Sequence, residues 1–311
     1  MIAILISFLL LILGFVLMVK GADFFIEGAS SLALKLKIPQ IVIGLTIVAM
    51  GTSAPEAAVS ITSALKDTAG IAIGNVVGSN IVNVLLILGV TAIMTTLPIQ
   101  KNTIKYEIPF TCFVSVLLVW MGYYFHIINR LCAFIFIVLF VLFLLYLLKI
   151  AKNVEEVDEN ASNLSGVKVA LFVIGGILAL VWGSDLTVNN AIQIAHKIGV
   201  SDRIIGLTVV AIGTSLPELV TCIIAAIKKQ ADLAIGNIIG SNIFNILFVL
   251  GLAGLIQPMK FERAFLFDGI IMVLAILLLF IYTVKKRHLT RLQGISFLLL
   301  YIVYTVCMVL K

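Results

Sequence analysis

Two stretches of this chain are one sequence written in two places. Residues 43–89 begin IGLTIVAMGTSAPE and end AIGNVVGSNIVNVLLILG, while residues 205–251 begin IGLTVVAIGTSLPE and end AIGNIIGSNIFNILFVLG, in one register at an offset of 162 residues. Each copy sets a glutamate, Glu56 or Glu218, inside an otherwise apolar run. A repeat of this length means that one structural unit is built twice. An ionisable group in apolar sequence is costly, and a costly group kept twice points to use rather than accident.

The surrounding composition fixes the solvent. Hydrophobic residues make up 62% of the 311, charged residues 12%, and the mean hydropathy is +1.24, so the chain reads as an integral membrane protein rather than a soluble one. The formal net charge of +6 does not indicate nucleic acid, because the basic residues stand singly or in small groups between apolar segments. Cys112, Cys132, Cys222 and Cys307 lack CxxC spacing and His126, His196 and His288 are dispersed, so neither a zinc site nor a disulfide framework is expected. The cysteines read as small apolar residues. The first apolar segment has no basic stretch before it and aligns with the segment that opens the second copy, so it reads as a mature span and not a signal peptide.

With about 20 apolar residues needed per crossing, the chain divides into about ten spans. The first five are 2–19, 41–65, 71–94, 108–124 and 131–148; the second five are 167–182, 204–227, 233–256, 264–284 and 292–310. Residues 1–150 then form a first five-helix repeat carrying motif 43–89, residues 151–166 a polar linker, and residues 167–311 a second repeat carrying motif 205–251. The linker holds Glu155, Glu156, Asp158 and Glu159 without the spaced pattern of a calcium loop. Five is odd, so if both halves share a fold, the second sits upside down in the membrane. The expected fold class is therefore all-α, ten transmembrane helices in two inverted repeats with broken helices at the midplane, where such proteins hold their binding site. Most of the 21 Lys and Arg fall in the loops after spans one, three, five, seven and nine. That bias makes those loops and the linker cytoplasmic and both termini extracellular.

Pro55 and Pro217 lack the N–H that would reach four residues back, so each helix should open near Gly51 and Gly213. Broken helix at membrane depth is tolerated where it lines a polar cavity. Ala49, Thr52, Ser53 and Glu56 share a helical face, as do Ala211, Thr214, Ser215 and Glu218. Ser79 with Asn83, and Ser241 with Asn245, follow at i and i+4. Hydroxyls, carbonyls and carboxylates are the ligands of hard cations. The spacings Gly74-x-x-x-Gly78 and Gly236-x-x-x-Gly240, with Asn75, Asn80, Asn237 and Asn242, read more readily as helix packing and interhelical hydrogen bonds. Asp23 and Asp185 match between copies but read as solvated helix ends, and Glu107, Glu262 and Asp268 lie at span borders. Two carboxylates facing one cavity repel each other when empty and favour one divalent cation or two or more monovalent ones. Competition for the same oxygens couples two ion fluxes, which is antiport.

At these residues the chain resembles the cation/Ca²⁺ exchanger superfamily, most closely its prokaryotic sodium/calcium exchangers, through two copies of GTSxPE followed by GNxxGSNxxN. The resemblance implies a Na⁺/Ca²⁺ antiporter of the cell membrane working by alternating access. It implies Glu56 and Glu218 as shared carboxylate ligands, Thr52 and Thr214 as oxygen donors for calcium, and the Ala49 and Ala211 carbonyls with Ser79 and Ser241 in flanking sodium sites. Ser53 and Ser215 would line those sites, and Asn83 and Asn245 would hold the centre. Asn at both of the last positions resembles the potassium-independent members. The implied partners are Ca²⁺, Na⁺ and the lipid bilayer, with no cofactor beyond the transported ions, no nucleic acid and no obligate protein partner. The alternative within the superfamily is H⁺/Ca²⁺ or other divalent exchange. An intramembrane enzyme is disfavoured, since no His or Lys stands ready to activate Ser53 or Ser215 and no HExxH occurs. A channel would pass Ca²⁺ without any ion on the far side.

Overall fold

The computed structural model describes residues 2–66, 70–152, 164–197 and 211–310, and it is helical almost throughout. The first half comprises α1 (Ile2–Leu36), α2 (Gln40–Thr52), α3 (Ala54–Leu65), α4 (Gly70–Met94), α5 (Thr103–Phe125) and α6 (Arg130–Lys152). The second comprises α7 (Gly166–Lys197), α8 (Ala211–Gly213), α9 (Leu216–Ile227), α10 (Ala231–Ile256), α11 (Arg263–Lys286) and α12 (Arg291–Leu310). Eight of these are long and apolar enough to cross a membrane, and α2 with α3 form a ninth span bent by 52°. The start of the span expected at 204–227 and most of the linker lie outside the described residues.

Burial separates a centre from a periphery. In the most apolar stretch of α4 and α10, 78% and 83% of residues are buried, against 11% in α12. The outer helices turn Leu, Ile and Phe outward, as a lipid-facing surface requires. On one flank α1 and α7 pack along each other through glycines. A Cβ on Gly21 would stand 3.0 Å from the Gly176 carbonyl oxygen, and one on Gly183 would stand 2.7 Å from that of Gly14. On the other flank α5 packs on α11, α6 on α10, and α12 on α4.

Two helices run well past their expected ends. Spans read as 2–19 and 167–182 continue to Leu36 and Lys197. Asp23 and Asp185, expected at the ends of the first spans, therefore lie inside α1 and α7. Polarity ends an apolar run without ending a helix. Asp23 is paired with Lys228 at 2.6 Å, and α1 stops only where Lys37 takes a left-handed φ of 55° and Ile38 donates its N–H to the Ala33 carbonyl at 3.0 Å, a Schellman end. Glu107, read as a border residue, is likewise inside α5 and only 3% exposed.

Four two-residue strands tie the helix ends together. Strand β1 (Leu97–Pro98) pairs antiparallel with β4 (His288–Leu289), and β2 (Ile127–Ile128) with β3 (Met259–Lys260). Near the β1–β4 pair, Gln100 Nε2 donates to Asp232 Oδ2 at 2.6 Å. Gln40 and Gln230 both donate to Ser30 Oγ, and Leu164 N–H donates to Ser31 Oγ.

Candidate functional site

The two prolines do break their helices, and the break has the same shape in both copies. Ser53 has φ −82°, ψ 11° and Ser215 has φ −89°, ψ 7°, the sparsely used bridge conformation. Pro55 and Pro217 then sit in the first positions of α3 and α9, where no N–H is needed. The helix reopens two residues later than Gly51 and Gly213. Gly213 is not left with a free carbonyl, because Ser184 Oγ donates to it at 2.9 Å. The consequence for the acids is direct. Glu56 and Glu218 fall in the first turns of α3 and α9, fully buried, where the positive end of a helix dipole favours a carboxylate.

Ser-x-x-Glu across a helix start is the pattern of a local capping box. Here neither serine makes a side-chain cap on its own helix. Ser53 Oγ donates instead to Glu218 Oε1 at 2.7 Å, and Ser215 Oγ to Glu56 Oε1 at 3.1 Å. The serine and glutamate of each copy thus exchange partners with those of the other. Ser79 Oγ also donates to Glu56 Oε1, at 3.4 Å, while Ser241 stands 2.9 Å from Ser53 Oγ and 3.4 Å from the Ala49 carbonyl oxygen. Two serine–glutamate clusters therefore flank a common centre. Ala49 is drawn into the second, although its carbonyl also accepts from the Ser53 N–H at 3.0 Å.

The centre between them is made of asparagines. Asn83 Nδ2 donates to Asn242 Oδ1 at 2.9 Å and Asn245 Nδ2 to Asn80 Oδ1 at 3.3 Å, again as a reciprocal pair. Asn80 and Asn242 are the interhelical links their sequence suggests, and Asn80 Nδ2 also bonds the Asn242 carbonyl. Asn83 and Asn245 lie within and at the start of wide π-helical turns, Val82–Ile87 and Asn245–Val249, a distortion that frequently marks functional positions.

Thr52 Oγ1 lies 2.9 Å from Asn237 Oδ1 and also donates back to Val48 O, so it ties the break to α10 while bordering the Glu218 carboxylate. Asn75 Nδ2 holds the Glu56 carbonyl and Ser60 Oγ. Cys222, read as a plain apolar residue, joins this outer ring by accepting from Asn237. Thr214 is half-buried, and the side chain of Ala211 lies outside what is described. The GxxxG reading of α10 holds: a Cβ on Gly236 would be 2.8 Å from Gly44 Cα, so α10 and α2 meet backbone to backbone beside the site.

Four buried oxygens at this centre have no hydrogen-bond partner among the described residues. They are Glu56 Oε2, Glu218 Oε2, Asn83 Oδ1 and Asn245 Oδ1, two equivalent pairs. Buried acceptors of this kind are costly unless something positive meets them. Among the described residues no three His, Cys, Asp or Glu gather, so the donor set is two carboxylates with neutral oxygens, suited to a hard cation.

The family model described as sodium/calcium exchanger protein matches residues 6–149 and 168–310. The chain is 39% identical to the putative antiporter CaxA of Alkalimonas amylolytica over 96% of its own length and 98% of the relative's. It is 33% identical to the sodium/calcium exchanger MaX1 of Methanosarcina acetivorans, over 97% and 98%. A solved structure of the sodium-calcium exchanger NCX_Mj superposes with a TM-score of 0.85 at 32% identity, covering 99% of both chains.

Proposed function

Because the chain belongs to the sodium/calcium exchanger protein family, a family of membrane transporters and not of enzymes, we propose that it exchanges Na⁺ for Ca²⁺ across the cell membrane by alternating access. Glu56 and Glu218 are the shared ligands in this reading. The observation that carries it is the set of four buried oxygens on Glu56, Glu218, Asn83 and Asn245 that have no hydrogen-bond partner among the described residues. Two ionised carboxylates there need about two positive charges. One Ca²⁺, or two or more Na⁺ divided between the centre and the flanking serine clusters, would supply them, and neither load leaves room for the other. Ser53, Ser79, Ser215, Ser241 and the Ala49 carbonyl, with Ala211 as its counterpart, form the sodium flanks; Thr52 and Thr214 complete the calcium shell. An ion-free site with two bare charges is the least stable state to carry across the bilayer. Reorientation is thereby restricted to loaded forms.

The division into repeats 1–150 and 167–311 in opposite orientations draws support from the strand pairs. β1 and β3 follow the equivalent helices α4 and α10, yet β1 pairs with β4 and β2 with β3. Since α5 crosses the membrane between β1 and β2, β1 and β3 must end on opposite faces. Equivalent loops on opposite faces are the signature of inversion. The contacts joining the loops after spans one, three, five, seven and nine favour one shared side for them, and their lysines and arginines favour the cytoplasm.

Purified protein in sealed liposomes tests the ion pair. Ca²⁺ uptake should follow dilution of Na⁺-loaded vesicles into Na⁺-free buffer and should ignore an imposed pH gradient. Uptake driven by pH alone points to H⁺/Ca²⁺ exchange, and uptake into vesicles holding neither gradient points to a channel.

A further inference from the structure

Glu107 has no counterpart in the second copy, where the equivalent position is Gly269, so it stands outside the duplicated centre. It is nevertheless buried, with 3% of its surface exposed. Its Oε1 accepts from the Tyr146 hydroxyl at 2.5 Å, and its Oε2 has no partner among the described residues. Glu107 lines a cavity of about 290 Å³ with Thr103, Asn102, Gln100, Ile41, Pro39 and Ile150. Gln100 and Asn102 are exposed at its rim, so the cavity reaches solvent on the side of the β1–β4 pair.

The lining offers oxygen to a positive ligand. Gln100 commits its Nε2 to Asp232, which leaves Oε1 as the Gln100 atom available to a ligand. Thr103 adds a hydroxyl and Asn102 an amide oxygen. The neighbouring lysines do not line the cavity: Lys101 and Lys105 are exposed, and Lys105 Nζ lies over the Tyr106 ring. One carboxylate with neutral oxygens balances a single positive charge, and hard oxygen donors suit an alkali cation. A cavity of this volume also has room for the waters such an ion keeps.

We propose that this cavity is a second cation site, apart from the Glu56 and Glu218 centre, that takes one small monovalent cation such as Na⁺ on Glu107. The start of α2, the first turn of α5 and the end of α6 wall the cavity that would hold it. Through Gln100 and Asp232 it also reaches the first turn of α10. Its occupancy would therefore bear on α2 and α10, the two helices that cross beside the transport centre.

The test is amide hydrogen exchange read by mass spectrometry on the full chain in lipid nanodiscs, with NaCl replacing choline chloride at constant ionic strength. Residues 99–108 should show saturable, several-fold slower exchange with Na⁺ in the wild type and in Glu56→Gln/Glu218→Gln, which isolates this site from the transport centre. Glu107→Gln, which keeps an acceptor for Tyr146, should lose the effect at 99–108 while retaining any Na⁺ effect at 49–56. Exchange at 99–108 that ignores Na⁺ in the wild type, or slowing that survives Glu107→Gln, overturns the proposal.

Discussion

Ser53 donates its hydroxyl to Glu218 at 2.7 Å, and Ser215 returns the same contact to Glu56 at 3.1 Å. The two copies of the motif are locked to each other at the atoms that hold the charge. Hydrogen bonds to charged groups contribute about 2 kcal/mol each. Ser53→Ala and Ser215→Ala should therefore each weaken apparent Na⁺ affinity by about thirtyfold, and by similar amounts, because each removes the same contact from one of the two copies. Competition of Na⁺ against Ca²⁺ uptake in liposomes reads both. A large loss in one variant and none in the other would contradict the reciprocal arrangement.

The crossing of α2 and α10 leaves no room for a side chain. A Cβ on Gly236 would meet Gly44 Cα at 2.8 Å and the Ile41 carbonyl oxygen at 2.9 Å, and backbone cannot step aside as a flexible side chain can. Gly236→Ala should cost about 1–3 kcal/mol, the range for overpacking, seen as a lower unfolding temperature in detergent. Gly175→Ala is the control, since none of the described residues lies within 4 Å of its Cβ position; it should leave the transition where it is or raise it slightly.

Asn245 and Asn83 present neutral oxygens at the centre, both without a hydrogen-bond partner among the described residues. Ca²⁺ uptake by the wild type should be indifferent to K⁺. Asn245→Asp adds a third negative charge beside Glu56 and Glu218, so its uptake should fall in choline and recover in part when K⁺ or another monovalent cation is supplied. Flux of ⁴⁵Ca²⁺ with and without K⁺ gives the answer. Strong K⁺ stimulation of the wild type would refute the reading of Asn245.

The strand pairs set the sidedness of four exposed positions. In a background freed of Cys112, Cys132, Cys222 and Cys307, cysteines at Gln100 and Arg287 should react from one face with a membrane-impermeant maleimide, and cysteines at Lys260 and Arg130 from the other. In intact cells only the second pair should label, if the lysine-rich loops are cytoplasmic. Labelling of Gln100→Cys together with Lys260→Cys would break the inverted arrangement.

Most helices could be read from the sequence because an apolar run of bilayer length leaves the chain little choice, and α4, α6 and α12 begin within about two residues of the expectation. The reading failed where a helix carries charge. Hydropathy falls at Lys20 and Asp23, yet α1 continues, since Asp23 finds Lys228 and small residues keep α7 close. In the site, the duplicated glutamates, serines and asparagines were legible as types and spacings. Their cross-connection was not, because Ser-x-x-Glu looks the same whether it caps its own helix or reaches across to another. The wide turns at Val82–Ile87 and Asn245–Val249 have no evident sequence signal; they are visible only in the backbone.

The central claim, that Glu56 and Glu218 together form one site used in turn by Na⁺ and Ca²⁺, is tested most directly by Na⁺-driven Ca²⁺ uptake in liposomes for Glu56→Gln and Glu218→Gln beside the wild type. Glutamine keeps the shape and removes the charge. Each single variant should lose nearly all uptake while still folding, as judged by a monodisperse elution profile. Undiminished uptake in either variant would mean that its carboxylate is a structural acid and that the shared site is wrong.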